Sequence, residues 1–291
     1  MDRLRPDPQT FTRRRLLGGL TAAAGWLAGA AQAEDGGRYS LGIVPYLPAR
    51  RLISYYSALL PALTGALRRP VEISSAPNYL EHLGRLRRRS YDLVADSLFI
   101  ARIAQRELGH VPLVRTAARL EPVLVTPLQG GIDQLAALQG QSICVTDRIA
   151  ALSVIGLRYL RDHDLEPGRR VRIVVSGSHA NSLHRMLAGD AVAAIVSRTT
   201  LHQVEPELAQ RVRVLQVLPS ALSAVVYHVA PRHAAQAGQL TRALLDFGRS
   251  AEGQRFVEAL GHQGLLPVQQ GEMEQLDPMV VEFYRQLALA E

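Results

Sequence analysis

The sequence predicts an α/β protein made of two successive sheet-and-helix halves. Short runs rich in Val, Ile and Leu alternate with longer runs whose apolar residues recur at helical spacing, which is the signature of strands joined by crossover helices and of mainly parallel sheets. The same strand-and-helix order recurs in the second half of the 291-residue chain. No low-complexity stretch separates the halves, so short crossing strands rather than a flexible tether should connect them.

Taken in order, residues 41–44 read as the first strand, Pro45-Tyr46-Leu47-Pro48 as a turn, and residues 50–67 as a helix with apolar residues on one face. A second strand follows at 71–74, a helix at 79–88, a third strand at 91–95 and a helix at 97–107. The unit then repeats, with strands at 122–126, 141–146, 171–175 and 192–196 and helices at 153–162 and 181–187. Strands at 214–217 and 227–229 lead into helices at 239–247, 253–260 and 278–288. Most of these strands end in a polar loop that opens the next helix, and such loops are where α/β sheets gather ligands.

Residues 1–33 precede this pattern and read as an export leader. Thr12-Arg13-Arg14-Arg15-Leu16-Leu17 precedes an apolar run diluted by Gly18, Gly19, Gly25 and Gly29, which ends at Ala31-Gln32-Ala33. Paired arginines, a weakly hydrophobic centre and a small-x-small end resemble a twin-arginine signal cleaved after Ala33. An uncleaved anchor is the competing reading, but the run is barely long enough to span and no later segment reaches spanning length. The expected location is therefore the periplasm, with no stable membrane insertion after cleavage.

Composition closes off several functions. The formal net charge of +7 shrinks once the leader is set aside, because five arginines against two acids lie within it. Aromatic residues are sparse and the remaining arginines dispersed apart from Arg87-Arg88-Arg89, so a nucleic-acid surface of stacking platforms and a basic stripe is not expected. The chain contains no lysine, which removes Schiff-base chemistry and the lysine-dependent phosphate loops of NTPases and kinases. A single cysteine, Cys144, permits neither an internal disulfide nor a cysteine-rich metal cage and reads as a buried strand thiol. No catalytic triad, zinc spacing or nucleotide loop is found, so neither an enzyme nor a cofactor is expected.

Five segments, in order, carry a family resemblance: LGIVPYLPARRL; RRPVEISSAPNYLEHLGRLRRRSYDLVADSLFIA; LAALQGQSICVTD; SGSHANSLHRMLAGDAVAAIVS; and LLDFGRSAEGQRFVEALGHQGLLPV. Together they resemble the phosphate, phosphite and phosphonate binding proteins of ABC transporters. The resemblance implies a type II periplasmic-binding fold, with 38–121 plus 223–291 as lobe one, 122–222 as an inserted lobe two, and a small anion in the cleft between them. The implied partner is an ABC transporter permease; a membrane sensor such as a histidine kinase is the alternative.

In such a cleft the loops at the strand ends and the helix N-termini favour an anion. Those loops carry Tyr46, then Asn78 and Tyr79, then Asp96 and Ser97 in lobe one. In lobe two they carry Thr146, Asp147 and Arg148, then Ser176, Ser178 and His179, then Ser197, Arg198 and Thr199. The candidate ligand-binding set is Tyr46, Asn78, Tyr79, Ser97, Thr146, Arg148, Ser178, His179, Ser197 and Arg198. Each has a structural alternative: a serine before a helix is commonly its N-cap, a buried His can be structural, and a tyrosine can simply face the core. Phosphonate-binding members place Ser and Thr hydroxyls after the lobe-two Asp, whereas here the stretch reads Asp147-Arg148-Ile149-Ala150-Ala151-Leu152-Ser153. The expectation is that Arg148 or Arg198 replaces those hydroxyls through charge-assisted hydrogen bonds.

Overall fold

The computed structural model describes residues 37–290; the expected leader lies outside them. Four strands come first: β1 (Tyr39–Ile43), β2 (Val71–Ser75), β3 (Leu93–Asp96) and β4 (Val111–Thr116). Five more follow, β5 (Pro122–Pro127), β6 (Ser142–Val145), β7 (Arg172–Val175), β8 (Ala193–Ser197) and β9 (Val212–Val217), before the chain returns with β10 (Val226–Val229) and β11 (Leu265–Pro267). They build a six-stranded sheet of order β11-β4-β10-β3-β1-β2 and a five-stranded sheet of order β7-β6-β8-β5-β9.

Each sheet is parallel where strands are joined by helices and antiparallel where the chain crosses between sheets. β1 pairs in parallel with β2 and β3, and β6 with β7 and β8. β10 runs antiparallel to β3 and β4, and β5 runs antiparallel to β8 and β9. The sheets are thus mixed rather than mainly parallel, because strands entering from the other half arrive reversed.

The first half contributes α1 (Ala49–Tyr56), α2 (Leu60–Leu67), α3 (Tyr79–Arg87) and α4 (Leu98–Leu108). The second contributes α5 (Ala151–Asp162), α6 (His179–Leu187), α7 (Arg198–Gln203) and α8 (Pro206–Ala209), and the return adds α9 (Ala237–Arg249), α10 (Ala251–Ala259) and α11 (Asp277–Leu287). The helix expected across 50–67 is broken by a 3-10 turn at Ser57–Leu59, with Pro61 in the first turn of α2, a position where proline has no amide to lose.

Period-two alternation sends side chains to separate cores on the two faces of each sheet. On one face of the six-stranded sheet, Leu41, Ile43 and Tyr227 pack with Tyr56, Leu63, Leu244 and Phe256. On the other, Val94 and Val226 pack with Phe99, Val280 and Phe283. In β6, Ile143 and Val145 face one core and Cys144 the other, and the cysteine is fully buried.

The second face of the six-stranded sheet also receives Ile149, Val154 and Ile155 from the segment leading into α5 and from α5 itself. One apolar layer therefore reaches from one sheet system into the other. The crossing segments run side by side, with Arg119 bridged to Ser223 and Leu120 donating its N–H to the Leu222 carbonyl at 2.7 Å. The first crossing lies at 117–121, since Pro122, Val123 and Leu124 of β5 are already paired with β8.

Candidate functional site

A cavity of about 170 Å³ lies where the carboxyl ends of the two sheets face each other. Each strand-to-helix junction of β1, β2, β3, β6, β7 and β8 contributes to its wall. Tyr46, Leu47 and Arg51 follow β1, Tyr79 opens α3 after β2, and Ser97 precedes α4 after β3. From the five-stranded side come Ala150, Ala151 and Leu152 after β6, His179 after β7, and Ser197, Thr199 and Thr200 after β8. The crossings add Ala118 to Glu121, Ala224 and Val225, and the segment after α10 adds Leu260, Gly261 and His262.

The junctions divide by how their helices are capped. Asn78 accepts the N–H of Glu81 through Oδ1 at 2.8 Å, and Ser178 accepts that of Asn181 through Oγ at 3.1 Å, so both side chains are spent on their own helices and neither lines the cavity. Ser97 and Ala150, the N-caps of α4 and α5, make no side-chain cap bond. The first-turn amides of these helices, 11 and 12 residues long, thus have no side-chain partner and abut the same space. Helix N-terminal amides of this kind bind anions through hydrogen bonds and the helix dipole. Ser97 is itself buried and its Oγ has no hydrogen-bond partner.

Of the candidate residues, Tyr46, Tyr79, Ser97, His179 and Ser197 meet at this wall. Thr146 is buried, its Oγ1 3.5 Å from Ser153 Oγ, and does not reach the wall. The two arginines expected to replace the missing hydroxyls turn elsewhere. Arg148 donates to Gln286 Oε1 at 3.2 Å, and Arg198 pairs with Glu121 across 3.6 Å at an exposed site. The reason is local: Arg148 lies on a turn closed by Asp147, whose Oδ1 accepts the Ile149 N–H at 3.0 Å, and this turn directs Ile149 into the apolar layer and the arginine toward α11. The arginines at the wall are Arg51, which donates to Tyr55 Oη at 3.1 Å, and Arg119. Sequence reading missed both, together with His262. A helical position one turn past Pro48 signals Arg51; Arg119 and His262 arrive through long-range pairing and carry no local signal.

The wall is neutral to positive except for Glu121. Burial holds the His179 and His262 imidazoles down to about 4, so both are uncharged at neutral pH. Burial likewise pushes the Tyr46 and Tyr79 phenols up, and for Tyr79 the Asp147 and Asp96 charges add to the effect; both stay protonated and able to donate. Helix N-termini, hydroxyl donors and an aromatic and alkyl lining thus share one wall, the chemistry that suits a small oxyanion with a carbon substituent.

The fold and family agree with this chemistry. The family described as ABC transporter, phosphonate, periplasmic substrate-binding protein matches residues 41–272. PhnD1 from Prochlorococcus marinus, solved in complex with methylphosphonate, superposes with a TM-score of 0.76 at 11% identity, over 86% of this chain and 100% of that one. A binding protein component of an ABC phosphonate transporter from Pseudomonas aeruginosa gives 0.74 at 14% identity, over 87% and 89% of the two chains. The aliphatic sulphonate binding protein SsuA from Escherichia coli gives 0.59 at 15% identity, over 87% and 94%. No curated relative matches in sequence. With a two-sheet fold, a cavity between the sheets and a family match across most of its length, this chain belongs to the periplasmic substrate-binding proteins of phosphonate ABC transporters.

Proposed function

We propose that the cavity captures a small organophosphonate for an ABC importer, the anionic head against the N-termini of α4 and α5 and the carbon substituent against Ala150, Ala151, Leu152 and the tyrosines. The observation that carries this is the set of helix N-termini without side-chain caps abutting one cavity, α4 and α5 being the longest of these helices. Tyr46, Tyr79, Ser97, His179 and Ser197 are the contacts proposed from the candidate set. Arg119 supplies positive charge from the crossing, where it steers an anion as the site closes. In this reading 38–121 plus 223–291 and 122–222 are the two bodies that move about the crossings. No reaction is proposed: the wall offers binding groups without a nucleophile and base paired at hydrogen-bonding distance.

A thermal-shift panel of methylphosphonate, butylphosphonate, inorganic phosphate and ethanesulfonate tests the assignment. A phosphonate at a hundred times its dissociation constant adds about 2.7 kcal/mol of stability and raises the unfolding midpoint accordingly. Butylphosphonate above inorganic phosphate is the expected order, because the wall covers alkyl surface. An unmoved midpoint with every compound would remove anion capture as the function.

Delivery to the periplasm is proposed to use residues 1–33 as a twin-arginine leader cleaved after Ala33. Replacing Arg13 and Arg14 together by lysine should leave uncleaved precursor in the cytoplasm, as read by fractionation and mass. Unchanged export would exclude this route.

A further inference from the structure

Beneath Ser97 lies a polar group that anion capture alone does not require. Antiparallel pairing of β3 and β10 sets Val94 opposite His228 and Asp96 opposite Val226, so period two turns Asp96 and His228 to the same face. There Asp96 Oδ2 lies 3.0 Å from His82 Nε2 of α3 and 3.6 Å from His228 Nε2. His228 Nδ1 is in turn 2.8 Å from Nδ1 of His110. All four side chains are fully or almost fully buried, and Asp96 Oδ1 accepts the N–H of Ser97, the N-cap of α4 at the cavity wall, at 2.8 Å.

His82 Nδ1, His110 Nε2 and His228 Nε2 have no hydrogen-bond partner, although buried polar atoms are nearly always paired. One nitrogen of the His110–His228 contact must donate and the other accept. Burial and the neighbouring His228 hold His110 down to about 3, so His110 is neutral and its Nδ1 either donates to His228 or accepts from it. His228 Nε2 faces Asp96 Oδ2 across 3.6 Å, so a proton held between an imidazole and this carboxylate is a donor to Asp96.

The surrounding charges do not supply that proton's role. Tyr91 stacks on His82 at 5.3 Å and its hydroxyl is unpartnered; Tyr79 faces Asp96 from the cavity side. Arg85 acts on Tyr91, and Arg232 and Arg89 disfavour charge on His110. Asp92 is occupied by Arg232 and His233. Asp96 is thus the acid of the group, and it stands one residue from the anion site.

We propose that the His82–Asp96–His228 group takes up one proton when the cavity binds its anion, so that the site captures an anion and a proton together. The inference rests on the anion-binding reading above. An anion at the N-terminus of α4 is repelled by the Asp96 carboxylate and attracted by an imidazolium beside it. Binding therefore favours the protonated group, and by linkage protonation favours binding. The proton comes from solvent and adds to an imidazole nitrogen; no bond breaks. Affinity then rises as pH falls, by at most about tenfold per pH unit for one linked proton.

Calorimetry with butylphosphonate and with ethanesulfonate, in buffers of different ionisation heat at about pH 7.5, one unit above the ordinary histidine value, counts the protons. Ethanesulfonate has no titrating group of its own, so its proton count belongs to the protein. Wild type should take up close to one proton per anion, Asp96→Asn close to none, and His163→Gln, which removes an exposed imidazole away from the wall, as many as wild type. Buffer-independent heats in wild type would overturn this inference and leave anion capture standing, as would a proton count left unchanged in Asp96→Asn. Absence of binding heat with both probes would overturn both. Should Asp96→Asn not fold, the His228 ring resonances of wild type decide: a shift toward the imidazolium on adding ethanesulfonate is expected, and no shift overturns the proposal.

Discussion

Replacing Glu282 with glutamine should lower the unfolding free energy by about 3 kcal/mol or more, within the range for breaking a buried ion pair. Glu282 is fully buried on α11. Its carboxylate accepts from Arg161 Nη2 at 2.8 Å and from Nη1, from Arg285 Nη1 at 2.9 Å, and from Gln286 Nε2 at 2.8 Å. Arg161 belongs to α5, and its Nε is held by Glu166 at 3.0 Å. Glutamine keeps the shape but removes the charge, leaving a largely buried guanidinium with one carboxylate. The same helix is fixed to α4 at its other end, where Arg102 donates to both oxygens of Asp277 at 2.8 and 3.0 Å. α11 therefore ties a helix of the six-stranded sheet to one of the five-stranded sheet, and losing the Arg161 contact loosens both. For a domain of this size the midpoint should fall by roughly 6 to 12 °C. Asp162→Asn, which removes the exposed partner of Arg158, is the control and should cost about 0.5 kcal/mol or less. A Glu282→Gln midpoint within 2 °C of wild type would show that solvent already screens the pair.

The sequence made the strands at the centre of each sheet legible because they are short apolar runs followed by helix-opening polar residues, and the junction residues Tyr46, Tyr79, Ser97, His179 and Ser197 followed from those strand ends. Strand β4 was not legible. It contains Pro112, which demotes a strand reading; in the fold Pro112 falls at the register shift between Tyr227 and His228, where a regular ladder is interrupted anyway. β11 has three residues and leaves Leu266 exposed, too little for a periodic signal. Direction was the second gap. Asn78 and Arg148 stand at the expected junctions, yet one caps its own helix and the other reaches Gln286. The third gap was distance along the chain: residues 82, 96, 110 and 228 assemble through β3–β10 pairing and α3 packing, which no local window contains.

Acidification from pH 6.5 to 4.5 should remove about 4 kcal/mol of stability through two imidazoles alone. His110 is held down to about 3, by burial first and His228 second, and His262 to about 4 by burial; both are 3% exposed. In the unfolded chain each titrates at the ordinary value of about 6.5. Because the folded values are depressed, the unfolded chain binds more protons throughout the interval between them. Each histidine's contribution is complete above about pH 6.5 and is lost at up to about 1.4 kcal/mol per pH unit as the pH falls toward the folded value. Asp96 works in a lower window: the neighbouring His82 and His228 outweigh its burial and hold it at about 2, so its contribution is present above about pH 4 and is lost only as the pH falls toward 2. His179 is also depressed, but it is only partly buried whereas His262 at the same wall is 3% exposed, so water screens its penalty more and it adds less. Urea midpoints at pH 7, 6 and 5 should fall progressively with an unchanged slope against denaturant. His262→Leu, which replaces a ring packed edge-on against Phe256 at 6.1 Å, should make that fall shallower by about half, since one of the two titrating groups is gone. Midpoints that hold steady from pH 7 to 5 would mean that water reaches both rings and that neither imidazole is kept neutral by burial.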